Sequence, residues 1–385
     1  MRRVYCDANA TTPLAPEVLE AMRPYLMDDF GNASSIHFEG QRARKAVDRA
    51  RETLAGFFHC REAEVVFNSG GTEGDNTAIF GLVRAGDHLI TTAIEHSAVL
   101  RAAERVAERG AEVTFVAPRA DGLIDPEEIR WAIRPTTRLI SVMLANNETG
   151  VLEPVEEIGK IAAEARAFFH VDAVQGAGKV EFDVRRFGCH LCSISAHKMH
   201  GPKGVGAMYV RRGTPLEPLV VGGSHERRQR AGTENVPGIV GLGKAVELAM
   251  ESLADGTIER IAALRDRLEA GVLRIAGTGV NGAGAPRVAN TTNIRIEQVE
   301  GEALVIALDL KGVAVSGGSA CHSGSTEPSH VLMAMGLDKN AARASLRFSL
   351  LRTATAEDVE HMLRVVPEAV KHLRALAPAE TATSF

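Results

Sequence analysis

Lys198 stands in the segment Ser195-Ala196-His197-Lys198-Met199-His200-Gly201-Pro202-Lys203-Gly204, directly behind the apolar run Leu191–Ile194. A lysine amine can join covalently to a carbonyl carbon when its position is fixed and its affinity for a proton is lowered. A short segment tucked behind a buried strand offers both. Ser195 and His197 alternate along the same segment and could reach a phosphate. Asp172 and Gln175 follow the run Phe168–Val171. A carboxylate at a buried strand end is costly unless it meets a cation, and a protonated ring nitrogen is such a cation. Gly70-Gly71-Thr72-Glu73 follows Val65–Phe67 and opens a helix, where free N–H groups and the helix dipole favour a phosphate. His96 follows the strand near Thr91; its ring could stack on a flat cofactor and move protons. Asn146-Asn147 follows Leu139–Leu144.

Each of these has a plainer reading: a surface lysine, a capping aspartate, a glycine turn with a capping threonine, a strand-end histidine, an asparagine turn. Their joint placement at strand ends points to one site, because open α/β sheets bind ligands at the carboxyl ends of their strands. Two nucleotide motifs are excluded. The Gly70–Glu73 stretch lacks the G-x-G-x-x-G spacing, and Gly176-Ala177-Gly178-Lys179 is followed by Val180 where a phosphate loop needs Ser or Thr.

A second reactive group is Cys321, in Ser316-Gly317-Gly318-Ser319-Ala320-Cys321-His322-Ser323-Gly324-Ser325. Glycines and serines on both sides predict a mobile loop. A thiol there is partly ionised near neutral pH, since an unperturbed cysteine titrates near ~8.5; an unused exposed thiol would be an oxidation liability. Cys189 and Cys192 form a C-x-x-C pair, but the segment reads as a buried strand whose alternate side chains face opposite sides, so core packing is expected. Cys6 and Cys60 carry no signal. Five scattered cysteines do not form a disulfide framework.

The elements needed to position these groups are legible. Strands are expected at Val65–Phe67, His88–Thr91, Val113–Val116, Leu139–Leu144, Phe168–Val171, Leu191–Ile194 and Gly206–Val210. Helices are expected at Pro16–Met27, Gln41–Phe57, Thr72–Ala85, Ser97–Glu108, Pro126–Ala132 and Val155–Ala165. This alternation predicts an α/β fold with a mostly parallel seven-stranded sheet flanked by helices. A charged helix from Thr257, a strand at Thr291–Ile296, a helix at Glu300–Asp309 and a closing helix from Ala356 predict a smaller α+β C-terminal unit. The expected division is residues 14–256 for the large unit, and 1–13 with 257–385 for the small one.

The 385 residues carry a net charge of −5 with both signs interspersed, which argues against nucleic acid or anionic membrane as the main partner. No apolar run approaches the ~18 residues of a membrane span. The N-terminal arginines have no apolar stretch behind them, so a cytoplasmic protein is expected.

With these residues in place, the chain resembles the cysteine desulfurases of the nitrogen-fixation and iron–sulfur-cluster type, within the class V aminotransferase family. The resemblance runs through YCDANATTP, FGNASSIHFEG, FNSGGTEGDN, IEHSAV, MLANNETGV, HVDAVQGAGK, SISAHKMHGPKGVG, GGSHERRQRAGTENVPGIVGLG, SGGSACHSGSTEPSHVLMAMGL and SLRFSLLRTATAEDV, in order and with matching spacing. It implies the type I fold of pyridoxal-phosphate-dependent transferases, with pyridoxal 5'-phosphate joined to Lys198. Asp172 would pair with the pyridine nitrogen, Gln175 would contact the phenolate oxygen with Asn147 beside it, and His96 would stack on the ring. Gly71, Thr72, Ser195 and His197 would hold the phosphate, and Thr233 would reach the phosphate of a neighbouring subunit, implying a homodimer. Arg347, with Arg343 and Arg352 nearby, would bind the substrate carboxylate. Lys198 would take the α-proton of L-cysteine, and Cys321 would accept its sulfur as a persulfide, releasing alanine and passing sulfur to an acceptor or an iron–sulfur scaffold protein. Cys321 would also be the transient iron–sulfur ligand. Ala8, His322 and Leu351 depart from common family residues without removing a catalytic group. Rival readings are a selenocysteine lyase, an aminotransferase or another class V enzyme, and a non-catalytic sulfur or cluster-binding scaffold. An intact Cys321 requirement would argue against the other class V enzymes, and a protein free of bound cofactor would favour the scaffold.

Overall fold

The computed structural model describes residues 2–317 and 327–376. Its strands, in chain order, are β1 (Val4–Tyr5), β2 (Val65–Asn68), β3 (His88–Thr92), β4 (Glu112–Val116), β5 (Thr137–Met143), β6 (Phe168–Asp172), β7 (Leu191–Ser195), β8 (Gly206–Val210), β9 (Thr278–Asn281), β10 (Thr291–Ile296), β11 (Val313–Ala314), β12 (Ser316–Gly317) and β13 (Ser345–Ser349). Seven of them form one sheet in the order β2-β8-β7-β6-β5-β3-β4. β3, β4, β5, β6 and β7 pair in parallel, while β8 runs antiparallel to both β7 and β2. The sheet is therefore mostly parallel, as expected, with β8 as its one reversed strand. β2, β3, β5, β6 and β7 all point the same way, so the residues behind them gather along one edge.

The sequence dictates much of this. β3, β6 and β7 are buried along almost their whole length, so that even their polar side chains, such as His88, Thr91, His170 and Ser193, are buried. The helix Phe38–Phe58 sets Ala43, Val47, Ala50 and Leu54 on one buried stripe at helical spacing. The helix Val236–Ala254 was not expected. Gly238, Gly241 and Gly243 lower its intrinsic propensity and read as loop. At Gly243 the reason for glycine is contact: an added Cβ would lie 3.0 Å from the Cβ of Ala50 on the neighbouring helix.

The remaining strands form a four-stranded antiparallel sheet, β12-β13-β10-β9, and a parallel pair, β1-β11. Here Val4 and Cys6 pack with Ile261, Leu268, Ile294, Leu346, Phe348 and Val366. The N-terminal segment then crosses to the large sheet: Asp7 bridges Ser349, and Thr12 N donates to His197 O at 3.0 Å.

One buried ion pair fixes the approach to the sheet edge. Arg51 donates to both carboxylate oxygens of Glu226, at 2.8 and 2.6 Å, and Phe67 N donates to the same carboxylate at 3.0 Å. Glu226, Arg227 and Arg228 are three successive non-glycine residues with φ of 43°, 56° and 68°. Left-handed backbone costs such residues roughly 1 kcal/mol or more each, so this turn depends on its buried anchor. Replacing Glu226 with Ala strands the Arg51 charge and should lower unfolding free energy by about 3–5 kcal/mol. Denaturant titration measures this, and a loss under about 1 kcal/mol would contradict the anchoring role.

Candidate active site

The five co-directed strands deliver their following residues to a single cleft of about 290 Å³. Thr72 arrives behind β2, His96 behind β3, Asn147 behind β5, Asp172 and Gln175 at and behind β6, and Ser195, His197 and Lys198 at and behind β7. Gly71 and Arg347 also line the cleft. Of the residues expected at the site, Thr233 does not line this cleft and is exposed on the surface, and Cys321 lies outside the described residues.

Lys198 ends a single 3-10 turn, and its Nζ donates to the carbonyl oxygens of Asn9 at 2.5 Å and Ala10 at 2.9 Å. The Thr12 hydroxyl staples the same turn: it donates to His197 O at 2.9 Å and accepts from His200 N at 2.8 Å. His200 takes a left-handed backbone at φ 62°, which this staple stabilises. The N-terminal segment thus sets where the amine sits. Sequence reasoning missed Asn9 and Ala10, because a carbonyl acceptor leaves no side-chain signal; only the position of the YCDANATTP segment hinted at them.

The cleft floor carries buried carboxyls. Asp172 accepts from Val174 N at 2.9 Å, and burial pushes it up while His96, the Val174 N–H and Lys198 pull it down. Burial and the charge of Asp172 raise Asp75 well above the usual carboxylate range, and its Oδ1 has no hydrogen-bond partner. A cationic ring nitrogen beside Asp172 would relieve this crowding. His96 Nδ1 accepts from Ala98 N at 3.2 Å, which leaves the proton of the neutral ring on Nε2. Burial lowers its proton affinity, as does Lys198, against the pull of Asp172.

The opposite end suits a phosphate. The helix Gly71–Leu82 points its amino end at the cleft, with Ser195 and His197 beside it. Burial, with the charge of Lys198, pushes His197 down to about 4, so its ring is neutral at pH 7. Gly206 on β8 lets this loop lie against the sheet, since a Cβ there would come within 2.7 Å of the Gly70 Cα, and Gly70 itself takes φ 143°. Together a phosphate cradle, a buried acid for a ring nitrogen and a fixed amine fit pyridoxal phosphate.

Arg347, on β13, is almost fully buried. It donates to Asn147 O at 2.8 Å and to Asp7 Oδ1 at 2.6 Å, while its Nε has no partner. A second cavity of about 410 Å³ adjoins the cleft and shares His96 and Asn147; Glu148, Glu327 and His330 also line it. Glu148 accepts from the Ser329 hydroxyl.

The paired cysteines correct the sequence reading in part. Cys189 precedes β7 instead of lying in it, and its Sγ donates to Val184 O at 3.7 Å, so strand alternation does not govern where its thiol points. Both are fully buried in the large apolar core, so the packing role stands. Burial raises the Cys192 thiol well above the usual cysteine range.

Fold and cleft together define a class V aminotransferase, and residues 4–362 match the family described as aminotransferase class-V. The chain is 48% identical to cysteine desulfurase IscS of Methanosarcina thermophila over 98% of its own length and 94% of that protein's. A solved NifS-like protein superposes with a TM-score of 0.88 at 35% identity, covering 96% of this chain and all of that one. The structure described as SspA in complex with cysteine gives a TM-score of 0.80 at 36% identity, covering 90% and 98% of the two chains. The chain belongs to the cysteine desulfurases of the class V aminotransferase family.

Among the described residues, no helix is long and apolar enough to cross a membrane. The second cavity also sets a pH dependence. Burial pushes Glu148 up to about 7 from an ordinary value of 4.5, against the pull of Ser329 and Arg347. The folded acid thus keeps a proton that the unfolded chain releases. Its contribution is fully present below about pH 4.5 and is lost as pH rises through 7, by about 3 kcal/mol over that window. Denaturant unfolding at pH 5 and pH 8 should show the wild type losing about that much more stability than E148Q; equal losses would contradict the assignment.

Proposed function

We propose that this chain is a pyridoxal-phosphate-dependent cysteine desulfurase that converts L-cysteine to L-alanine and leaves the sulfur on Cys321. The observation that carries the proposal is the convergence, in one cleft, of the Lys198 amine, the Asp172 carboxyl and the buried Arg347 with its unpartnered Nε.

Thr72, the Gly71 N–H, Ser195 and His197 would hold the cofactor phosphate, Asp172 the ring nitrogen and Gln175 the ring oxygen; His96 would lie over the ring and Asn147 beside it. Bound there, pyridoxal phosphate supplies an aldehyde for the Lys198 amine and a ring that accepts the electron pair left at the substrate α-carbon. Arg347 orients the substrate through its carboxylate, with a planar donor fork suited to that group. Lys198 Nζ takes the α-proton. His96 Nε2, at the wall shared with the second cavity, carries a proton between substrate and solvent. Cys321 attacks the substrate sulfur as the thiolate: the carbon–sulfur bond breaks, a sulfur–sulfur bond forms, and the carbon gains a proton. Cysteine plus the Cys321 thiol thus give alanine plus the Cys321 persulfide.

The chain ends that flank residues 318–326 support this role for Cys321. Ser316 on β12 is the cross-strand partner of Arg347, and Glu327 lines the cavity that shares His96 and Asn147 with the cleft. Cys321 follows Gly317 by four positions in the chain, a reach of at most ~14 Å.

A homodimer fits the exposure of Thr233, which would complete the phosphate site of a second copy, and the exposed apolar side chains Met27, Phe30, Ile36 and Phe38. The persulfide would pass to an acceptor or iron–sulfur scaffold protein in the cytoplasm, with Cys321 as the transient iron–sulfur ligand. Two units, 14–256 and 1–13 with 257–385, fit the two main apolar clusters, although Val331, Leu332, Met335 and Ala342 pack with the larger one.

The test is C321S, loaded with cofactor and given L-cysteine. Alanine and persulfide output should fall at least ~100-fold, a barrier increase of about 2.7 kcal/mol, while the cofactor absorption is retained. Unchanged output would overturn the assignment of Cys321 and favour a different class V reaction.

A further inference from the structure

Lys179 fails as a phosphate-loop lysine and has no part in the function proposed above, yet it lies within one side chain of the cleft. It stands four residues after Gln175. Its Nζ donates to Gln175 Oε1 at 2.7 Å and to Asn9 Oδ1 at 2.9 Å. At its other end the Gln175 amide donates from Nε2 to Asn9 O at 2.9 Å. A main-chain carbonyl oxygen can only accept, so the two contacts agree on which end of the amide is which.

The contact does not depend on the charge of Lys179. Burial, with the nearby cations Lys198 and Arg347, holds its amine well below the ordinary lysine range. An amine donates in either state. Asn9 is oriented in turn: its Nδ2 donates to Thr291 Oγ1 at 2.9 Å and to Asn147 O at 3.2 Å, and its Oδ1 accepts from Asn290 at 3.2 Å. With Oε1 held by Lys179 and one Nε2 hydrogen on Asn9, the donor that Gln175 has left for the cleft it lines is the second Nε2 hydrogen.

We propose that Lys179 is a positioning residue that fixes the Gln175 amide so that an N–H, and never the carbonyl oxygen, faces the cofactor ring oxygen. This rests on the reading of Gln175 as partner of that oxygen. The consequence is chemical. A donor stabilises negative charge on the ring oxygen, whereas a flipped amide would set two electron-rich oxygens against each other.

The experiment titrates the visible absorption of the cofactor-loaded protein with pH, without substrate, in wild type, K179M, K179R and Q175A. A donor to the ring oxygen lowers the proton affinity of the chromophore, so losing one should raise the titration midpoint by about one pH unit, the size of one net hydrogen bond. K179M and Q175A should both show this rise, and K179R, which keeps a donor, should stay near wild type. A shift in Q175A but not in K179M overturns the role of Lys179 and leaves the Gln175 reading standing. No shift in either overturns both. Thermal unfolding of the cofactor-free variants checks that each folds. If K179M does not, K179Q replaces it under the same criterion, because its amide can either donate or accept and so cannot fix its neighbour.

Discussion

Two main-chain carbonyl oxygens place the amine on which this site depends. Asn9 and Ala10 accept from Lys198 Nζ, and two residues later Thr12 staples the turn that carries it. A lysine side chain has four rotatable bonds and loses up to ~2 kcal/mol of rotamer freedom when fixed. Holding its tip by backbone acceptors keeps it in one place without adding a counter-charge that would tie up its proton. The segment making these contacts starts in the small β1-β11 ribbon and ends on the large sheet. Cleft geometry therefore depends on both sheets being assembled.

The same segment organises the side chains around the amine. Asn9 touches Gln175, Lys179, Asn147, Thr291 and Asn290, and Asp7 accepts from Arg347. Below them, Asp172, Asp75 and Glu95 lie buried close enough that the charge of Asp172 raises the proton affinity of both Asp75 and Glu95. Such a floor is poorly suited to holding several negative charges and well suited to one cation. In this account the ring nitrogen of the cofactor supplies that cation. Its phosphate would lie at the far end, where the helix Gly71–Leu82 begins.

The large sheet was legible because most of its strands carry short apolar-rich runs set between polar loops and amphipathic helices. The expected Gly206–Val210 matches β8, and the other expected strands of this sheet differ from the observed ones by no more than a few residues. The direction of β8 was not legible, since a buried strand reads alike both ways. Strand ends marked Lys198, Asp172, Gln175, His96 and Thr72, because polar residues directly after apolar runs are visible in one dimension. The Asn9–Lys198 contact joins residues 189 positions apart through a backbone oxygen, and no local pattern encodes it. Lys179 was noticed for the wrong motif: its partner is one helical turn away in sequence, but its purpose depends on Asn9. Core packing of Cys189 and Cys192 was read correctly, but strand alternation was applied to Cys189, which precedes the strand.

Borohydride reduction of the cofactor-loaded protein, followed by proteolysis and mass spectrometry, tests the central claim most directly, because it fixes the bond between amine and aldehyde in place. The account predicts one modified peptide, with the cofactor mass on Lys198. An adduct on Lys179 or another lysine, or no adduct in protein that has bound the cofactor, would contradict it.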